Sequence, residues 1–312
     1  MNELPSKLRD VTMGSCPTCG RPSVPAGTKN GYHFRRCHAC RHLFTPDPPT
    51  AGTLEALYRD YSYEAQDLST LPSFVIERLT EVVSGFARYR LHNRLLDVGF
   101  GAGANLHAAD KLGWESYGIE TSTLAVENGK RAGLARVIRA DFLAAPFSEE
   151  FFDVIVMGGV IEHLPAPLPF LNQASKLLRP GGLLYVTTPS GVGISARVLG
   201  TEWTVVSPPE HLQLFSPKSL SLVLARHGFA IESLRCEALN PYELIHHFRT
   251  KWAGSKTPST EQFSRVGRAY RLNQTLLEKA SGRLVIRVAN ELLSMSRLGD
   301  ELKVFAVKRV VP

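Results

Sequence analysis

The stretch LLDVGFGAG, residues 95–103, limits the possible folds of this chain more than any other part of the sequence. A short apolar run that contains Asp97 is followed by Gly99, Gly101 and Gly103 at alternate positions. A buried strand that ends in glycines lets a ligand approach the backbone closely, because glycine has no side chain to block it. The stretch therefore predicts an α/β fold with a small-molecule cofactor at the end of a strand.

Around this stretch the sequence alternates between strand and helix patterns. From about residue 74 onward, amphipathic helices separate a series of short apolar strands. The predicted strands are RLLDV, WESYGIE, ARVIRA, FFDVIVMGG, GLLYVTTP and FAIESLRCEAL. Repeated strand–helix units form a parallel sheet with helices on both faces. We therefore predict a doubly wound α/β domain.

Polar residues stand at the carboxyl ends of these predicted strands. Glu120 ends the second strand, Asp141 follows the third, and Glu162 and His163 follow the fourth. In doubly wound sheets, ligands bind beyond the carboxyl ends of the strands. We therefore expect one ligand beside the glycine stretch to lie within reach of all four residues.

Two cofactors fit the glycine stretch, a dinucleotide and S-adenosylmethionine. The spacing Gly99-x-Gly101-x-x-Ala104, with Glu120 at about the right distance, satisfies the relaxed dinucleotide fingerprint. However, a carboxylate at Asp97 suits a cofactor with a cationic amino group and repels a pyrophosphate. The segments LLRPGGLLYVTTP, with a Pro-Gly-Gly turn before the fifth strand, and FFDVIVMGGVIEHL, which ends in an acidic–histidine pair, also favour S-adenosylmethionine.

With these motifs the chain resembles the class I S-adenosylmethionine-dependent methyltransferases, especially the ubiquinone-biosynthesis-type group. The resemblance covers about residues 95–217, and DELKVFAVKR matches the seventh strand of the family. It implies a seven-stranded, mostly parallel, Rossmann-like sheet. It also implies a set of cofactor-binding residues: Gly99, Gly101 and Gly103 around the methionine and ribose, Asp97 at the amino end, Glu120 at the ribose hydroxyls, and Asp141 with Phe142 at the adenine.

Two C-x2-C pairs near the amino end predict a metal site. Cys16 and Cys19 form the first pair, and Cys37 and Cys40 follow after a gap of 17 residues. Four thiolates at this spacing are typical of a tetrahedral Zn²⁺ site, although iron can occupy the same ligands. Four cysteines leave no coordination position for substrate, so we expect a structural ion. Gly20, directly after the first pair, is expected to adopt a positive φ.

The remaining residues near the four cysteines have simpler interpretations. His33, His38 and His42 are predicted to lie on the surface, and Cys236 falls in a predicted strand as a core residue. The segment CHACRHLFTPDPP resembles the end of the zinc ribbon in a subgroup of methyltransferases. That resemblance implies an acceptor among sugars or other small metabolites.

Methyl transfer to a hydroxyl requires a positioned nucleophile and a base with a pKa near neutrality. His163 and His211 are the candidate bases, and Glu162 or Glu210 is expected to orient one of them. An acidic–histidine pair after the fourth strand occurs in this family with many substrates, so a structural role for His163 stays open.

The net charge of +7 is unevenly distributed along the chain. Residues 1–50 carry +4, residues 51–250 carry −4 and residues 251–312 carry +7. Basic ends suit an anionic partner, such as a phosphorylated substrate, nucleic acid or a membrane surface. Solvated Lys and Arg side chains on helix faces explain the same distribution equally well.

The predicted organisation has five parts, namely a zinc ribbon at 1–50, a linker with N-terminal helices at 51–92, a methyltransferase core at 93–239, a helical insertion at 240–300 and the last strand at 301–312. The insertion contains a group of basic residues, Arg265, Arg268, Arg271, Arg283 and Arg287. Three roles stay open for it: a lid over a phosphate-bearing substrate, contact with a membrane surface, or a homodimer interface.

The sequence favours a methyltransferase that acts on a small-molecule acceptor, such as a sugar, nucleotide-sugar, lipid-linked glycan or quinone-like metabolite, with oxygen as the favoured target. An RNA methyltransferase is the main alternative, but GGVIEH stands where enzymes that methylate base amines carry an Asn-Pro-Pro-Tyr type motif. A non-catalytic scaffold and a dehydrogenase fit less well. The polar start, MNELPSKLRD, and a longest apolar run of 11 residues predict a cytoplasmic protein without a transmembrane segment.

Overall fold

The computed structural model describes residues 14–50, 52–54, 57, 68–252 and 280–310. The strands in these parts of the chain are β1 Ser23–Lys29, β2 Tyr32–Cys37, β3 Leu43–Phe44, β4 Arg94–Val98, β5 Glu115–Glu120, β6 Val137–Arg139, β7 Phe152–Gly158, β8 Leu178–Pro189, β9 Gln213–Leu214, β10 Phe229–Glu237 and β11 Glu301–Lys308. The α-helices are α1 Ser73–Ser84, α2 Ala104–Lys111, α3 Thr123–Arg131, α4 Pro167–Leu177, α5 Ile194–Val198, α6 Pro217–Arg226, α7 Pro241–Trp252 and α8 Ala280–Ser296.

Seven strands form the central sheet in the order β10-β11-β8-β7-β4-β5-β6. The pairs from β8 to β6 are parallel, whereas β11 is antiparallel to both of its neighbours. The predicted doubly wound, seven-stranded, mostly parallel sheet is therefore confirmed, and DELKVFAVKR supplies the reversed strand. The Pro-Gly-Gly segment does not precede the fifth strand of the core; it loops out within β8, between the pairs Phe152↔Leu178 and Val154↔Leu183.

The two faces of the sheet are buried by helices, as the continuous apolar strands predict. In β4, Leu95 and Leu96 point to opposite faces and belong to different core clusters. One face packs against α4 and α6, and the other packs against α1 and α2. Ser122 and Ser216 cap α3 and α6 through their hydroxyl oxygens, as their positions in the sequence predict.

A buried ion pair joins the amino-terminal ends of β7 and β8 to the loop before β4. Asp153 is fully buried and accepts hydrogen bonds from Arg179 Nε at 2.6 Å, His92 N at 2.8 Å and Arg94 N at 3.2 Å. Burial raises the pKa of Asp153, but these hydrogen bonds outweigh burial and leave the pKa below its ordinary value. The carboxylate therefore holds the loop and the start of β8 in place.

The amino-terminal segment forms a small sheet that the core completes. β1 and β2 form an antiparallel hairpin, β2 pairs with β3, and β3 pairs with β9 of the core. Phe34 and Leu43 of this segment pack against Trp203 and Leu214 of the core. Trp203 is therefore a core aromatic residue.

His42 is not the surface residue that the sequence predicted. It is fully buried, its ring centroid lies 4.6 Å from that of Phe215, and its Nε2 is 3.0 Å from Gln213 Oε1. The pairing of β3 with β9 covers this histidine, and burial lowers its pKa to about 4. The predictions for the exposed His33 and His38 are confirmed.

The predicted helices at both ends of the insertion are present as α7 and α8. α8 lies beside β10, where Ser294 Oγ accepts from Cys236 N at 3.3 Å and Asn290 Oδ1 accepts from Ala238 N at 3.0 Å. Cys236 is a buried core residue, as predicted. The middle of the predicted insertion, with Arg265, Arg268 and Arg271, lies outside the described residues. Among the helices that are described, none is long and apolar enough to cross a membrane.

Candidate active site and metal centre

The turn after β4 adopts backbone angles that favour glycine. Gly99, Gly101 and Gly103 have φ values of +65°, +52° and +78°, a region that other residues rarely occupy. A Cβ at Gly103 would overlap the side chain of Leu134, so this glycine also permits close packing of the turn against the segment between α3 and β6. The turn therefore brings bare backbone to the carboxyl edge of the sheet, as the sequence predicts.

Asp97 lies directly below this turn and is almost completely buried, with 1% of its surface exposed. Burial raises its pKa to about 7; a hydrogen bond from Asn105 opposes the shift, and the nearby charge of Glu120 adds to it. Its Oδ2 has no hydrogen-bond partner among the described residues. A buried carboxylate oxygen without a donor is costly, so it fits a cationic ligand such as an ammonium group.

Glu120 and Asp141 occupy the next two strand ends. The Glu120 carboxylate accepts from Thr121 N at 2.7 Å and from Gly101 N at 3.3 Å, which fixes it beside the glycine turn. Asp141 accepts from Leu143 N at 2.9 Å through its Oδ1 and remains exposed. The structure therefore places both carboxylates at the edge where a nucleoside is expected.

Phe142, which the resemblance places at the adenine, is buried in the core. Its ring centroid lies 5.6 Å from that of Phe170 on α4, and only 3% of its surface is exposed. It follows Asp141 in the 3₁₀ helix Phe142–Ala144. Phe142 therefore belongs to the apolar core next to the exposed Asp141.

The three predicted catalytic residues lie together. The 3₁₀ helix Ile161–His163 follows β7 and carries Glu162 and His163, and the ring centroid of His211 is 4.5 Å from that of His163. One candidate ligand atom from each of the three residues lies within 4.8 Å of the others. Glu162 is 2% exposed and accepts from Thr188 Oγ1 at 2.8 Å. Burial raises the pKa of Glu162 to about 7.

The hydrogen bonds of the two histidines define their tautomers. His163 Nδ1 is 3.0 Å from the carbonyl oxygen of Glu210, and His211 Nδ1 is 2.6 Å from the carbonyl oxygen of Val205. A carbonyl oxygen only accepts, so each Nδ1 carries the hydrogen and each neutral ring has its basic lone pair on Nε2. Burial, reinforced by the positive charge that His211 acquires on protonation, lowers the pKa of His163 to about 4. His163 is therefore neutral at neutral pH.

The sequence analysis did not identify two residues of this site, Asn105 and Thr188. Asn105 contacts Asp97 from the first turn of α2, and Thr188 holds Glu162 from the end of β8. Asn105 also lines a cavity of about 310 Å³ between α1 and the sheet, together with Tyr185 of β8. Their roles depend on the order of the strands in the sheet, which the spacing of motifs in the sequence does not predict.

The four amino-terminal cysteines form a compact cluster. Their Sγ atoms all lie within 4.8 Å of one another, with Cys16–Cys40 at 3.5 Å and Cys19–Cys37 at 3.4 Å. Tetrahedral coordination with Zn–S bonds of about 2.3 Å separates neighbouring sulfurs by about 3.8 Å, so the donor set fits a zinc ion. Gly20 has φ +71°, which confirms the predicted positive φ.

The reversed last strand, the glycine turn and the carboxylates at successive strand ends define the class I S-adenosylmethionine-dependent methyltransferase fold. The model of the methyltransferase domain family matches residues 71–234, just over half of the chain, and the chain belongs to this family. The fold supports S-adenosylmethionine as the cofactor.

Known relatives match part of the chain. It is 33% identical over 121 residues to a ubiquinone biosynthesis O-methyltransferase of Cereibacter sphaeroides, across 36% of this chain and 48% of the relative. It is 30% identical over 161 residues to the enzyme of the same name from Caulobacter vibrioides, across 47% and 63%. The chain thus spans between about half and two thirds of these relatives. The YcgJ protein from Bacillus subtilis, 14% identical with a TM-score of 0.50 over 75% of this chain and 100% of that chain, shares the fold.

Proposed function

We propose that this protein transfers the methyl group of S-adenosylmethionine to a hydroxyl oxygen of a small-molecule acceptor. The observation that carries the proposal is the pair His163 and His211, whose rings are in contact and whose basic Nε2 atoms are defined by hydrogen bonds at Nδ1. A hydroxyl acceptor needs such a base, because the oxygen must lose its proton as it attacks. The names of the relatives support oxygen as the methylated atom.

The cofactor would lie along the carboxyl edge of the sheet. Asp97 would bind its ammonium group, the backbone around Gly101 would face its methionine and ribose, and Glu120 would accept from the ribose hydroxyls. When bound, S-adenosylmethionine supplies an electrophilic methyl carbon. The residues present fit this cofactor, because Asp97 has a buried oxygen without a hydrogen-bond partner among the described residues, and three of the five residues of the turn are glycines.

The histidine pair would act as a single base. The charge of a protonated His211 ring lowers the pKa of His163, so we expect the pair to hold no more than one proton at a time. The acceptor hydroxyl would give its proton to an Nε2 atom as its oxygen forms the new bond to the methyl carbon. Glu162, held by Thr188, would place a carboxyl group beside the resulting imidazolium.

The four cysteines would hold a structural zinc ion. Four thiolates fill its coordination shell, so the ion takes no part in methyl transfer. Its effect would be to fix the hairpin of β1 and β2 against the core, with which β3 shares a sheet.

Replacement of His211 with Asn tests the base. The amide nitrogen of Asn replaces Nδ1 as a donor to the Val205 carbonyl, and Nε2 is removed. We expect kcat to fall by about 10²–10⁴, while binding of S-adenosylhomocysteine changes less than twofold. Methyl transfer is followed by mass spectrometry with 3,4-dihydroxybenzoate and UDP-glucose as phenolic and nucleotide-sugar acceptors.

His227→Asn is the matched control. His227 Nδ1 lies 2.6 Å from the Val223 carbonyl at the end of α6, the same contact in a part of the fold remote from β7. This variant should retain wild-type kcat. Full activity in both His163→Asn and His211→Asn would contradict the proposed base.

A further inference from the structure

A second cavity lies between the cysteine-containing segment and the core. Its volume is about 580 Å³, within the range of small-molecule sites. Its walls come from four separate parts of the chain: the second cysteine pair, the segment after β8, the start of α6 and the residue after α8. Five basic side chains line it, namely Arg36, Arg41, Arg197, Lys218 and Arg297.

These five cations have no acidic partners in the described part of the chain. No acidic residue lines the described walls, and no carboxylate oxygen of a described residue is recorded within 4 Å of any of the five. The side chains of Arg36, Arg197 and Lys218 donate instead to backbone carbonyls.

Three of these bonds orient the basic groups. Arg36 donates to Gly191 O at 2.7 Å, Arg197 Nε donates to Val192 O at 2.6 Å, and Lys218 donates to Ala39 O at 2.8 Å. A carbonyl fixes the direction of a cation without neutralising it.

The proposed zinc site explains part of this charge. Zn²⁺ with four thiolates has a net charge of −2, and Cys40 borders the cavity. Five positive charges therefore exceed the charge of the metal centre by three. Clustered like charges without counterions are unfavourable, so their placement around one cavity indicates an anionic ligand.

We propose that this cavity binds a phosphorylated small molecule, with its phosphate or diphosphate group among the five basic side chains. Guanidinium groups match phosphate oxygens in paired hydrogen bonds, and four of the five residues are arginines. The cavity is separate from the glycine turn that would hold the cofactor. Its wall at Gly191 lies two residues after the end of β8, and β8 also carries Thr188, which donates to Glu162.

Inorganic pyrophosphate is the probe for this site. Isothermal titration of the full zinc-loaded protein in 0.15 M NaCl should show binding with a Kd below about 1 mM. The double variant Arg197→Gln, Arg297→Gln should weaken it at least tenfold. Both side chains are exposed, and neither belongs to the histidine or cofactor machinery.

Arg131→Gln is the control for the loss of one positive charge, and it is matched to the cavity variant Lys218→Gln. Arg131 is an exposed residue at the end of α3, away from the cavity, and its loss should change the Kd less than twofold. Zinc content and circular dichroism establish that each variant is folded. Lys218→Gln is the second variant, with an expected loss of at least threefold, and it supplies the test if the double variant does not fold.

Three results would overturn the proposal. The first is the absence of binding in the folded wild-type protein, and the second is an equal loss of affinity in Arg131→Gln and in the cavity variants. The third is tighter binding of a 15-nucleotide single-stranded RNA than of pyrophosphate, lost in the cavity variants, because that result would assign the site to nucleic acid. The test measures no methyl transfer, so its outcome is independent of the proposed function.

Discussion

Asp97 should make cofactor binding depend on pH within a narrow and accessible range. Its pKa is raised to about 7 by burial, whereas the cofactor ammonium pairs only with the ionised carboxylate. Below pH 7 the free protein holds a proton on Asp97, and this proton must leave before the cofactor binds. Affinity for S-adenosylhomocysteine, which keeps the ammonium group, should therefore decrease as the pH falls.

The size of the effect follows from the pKa. With a pKa of about 7, about nine tenths of the free protein is ionised at Asp97 at pH 8 and about one tenth at pH 6. The apparent affinity should therefore fall about tenfold between these values, which corresponds to about 1.4 kcal/mol. Binding at pH 6 should release close to one proton per ligand.

Titration calorimetry at pH 8, 7 and 6, in buffers with different ionisation enthalpies, measures both the affinity and the number of protons released. Asp97→Asn should bind weakly and without this pH dependence. Glu162→Gln is the control, because Glu162 is also buried with a pKa raised to about 7 but lies at the end of β7 beside the histidines. It should retain the wild-type dependence.

Two outcomes would refute this reasoning. Equal affinity at pH 8 and pH 6 in the wild-type protein would show that the cofactor does not require the ionised form of Asp97. Loss of the pH dependence in Glu162→Gln, with its retention in Asp97→Asn, would assign the proton to the other buried carboxyl group.

Three further outcomes are expected. Gly103→Ala should lower the free energy of unfolding by about 2–4 kcal/mol. Gly113 has a similar φ of +76° but open space around its Cβ position, so Gly113→Ala should lower it by only about 1 kcal/mol. Equal losses in urea titrations of the two variants would contradict the packing role of Gly103. Asp153→Ala should cost about 3–5 kcal/mol at neutral pH. Because the Asp153 pKa is lowered on folding, this cost should shrink as the pH falls through the folded-state value, and a constant difference in acid titrations would oppose the assignment. Cys37→Ser should abolish stoichiometric zinc in metal analysis and shift Trp203 fluorescence to longer wavelength; an unchanged zinc content would exclude the four-cysteine site.

The doubly wound sheet was predictable from sequence because its signals are local. Each strand is a short apolar run, α3 and α6 begin at serine caps, and the positive φ values after β4 favour glycine independently of the surrounding residues. The positions of Asp97 and Glu120 follow from the same logic, since parallel strands end at one edge of a sheet. The four cysteines are local in the same sense, because each pair occupies a single turn.

Contacts between segments that are distant in the sequence could not be predicted from these local signals. His163 and His211 were each predicted as a base, but no local pattern predicts that their rings lie 4.5 Å apart or that the lone pair is on Nε2. Both features arise because the segment after β8 folds back over β7, where Leu212 N donates to Glu162 O at 2.9 Å. Each Nδ1 donates to a backbone carbonyl, and every residue has such a carbonyl. The identity of the residues therefore does not predict these hydrogen bonds.

Burial of polar residues depended on tertiary structure in the same way. His42 is covered only because β3 pairs with β9, about 170 residues away along the chain. The five basic residues of the second cavity come from four segments, and the sequence had directed attention to the arginines of the insertion instead. Local patterns fix which strands and turns form, whereas the desolvation and charge of a site are sums over neighbours that only the folded chain brings together.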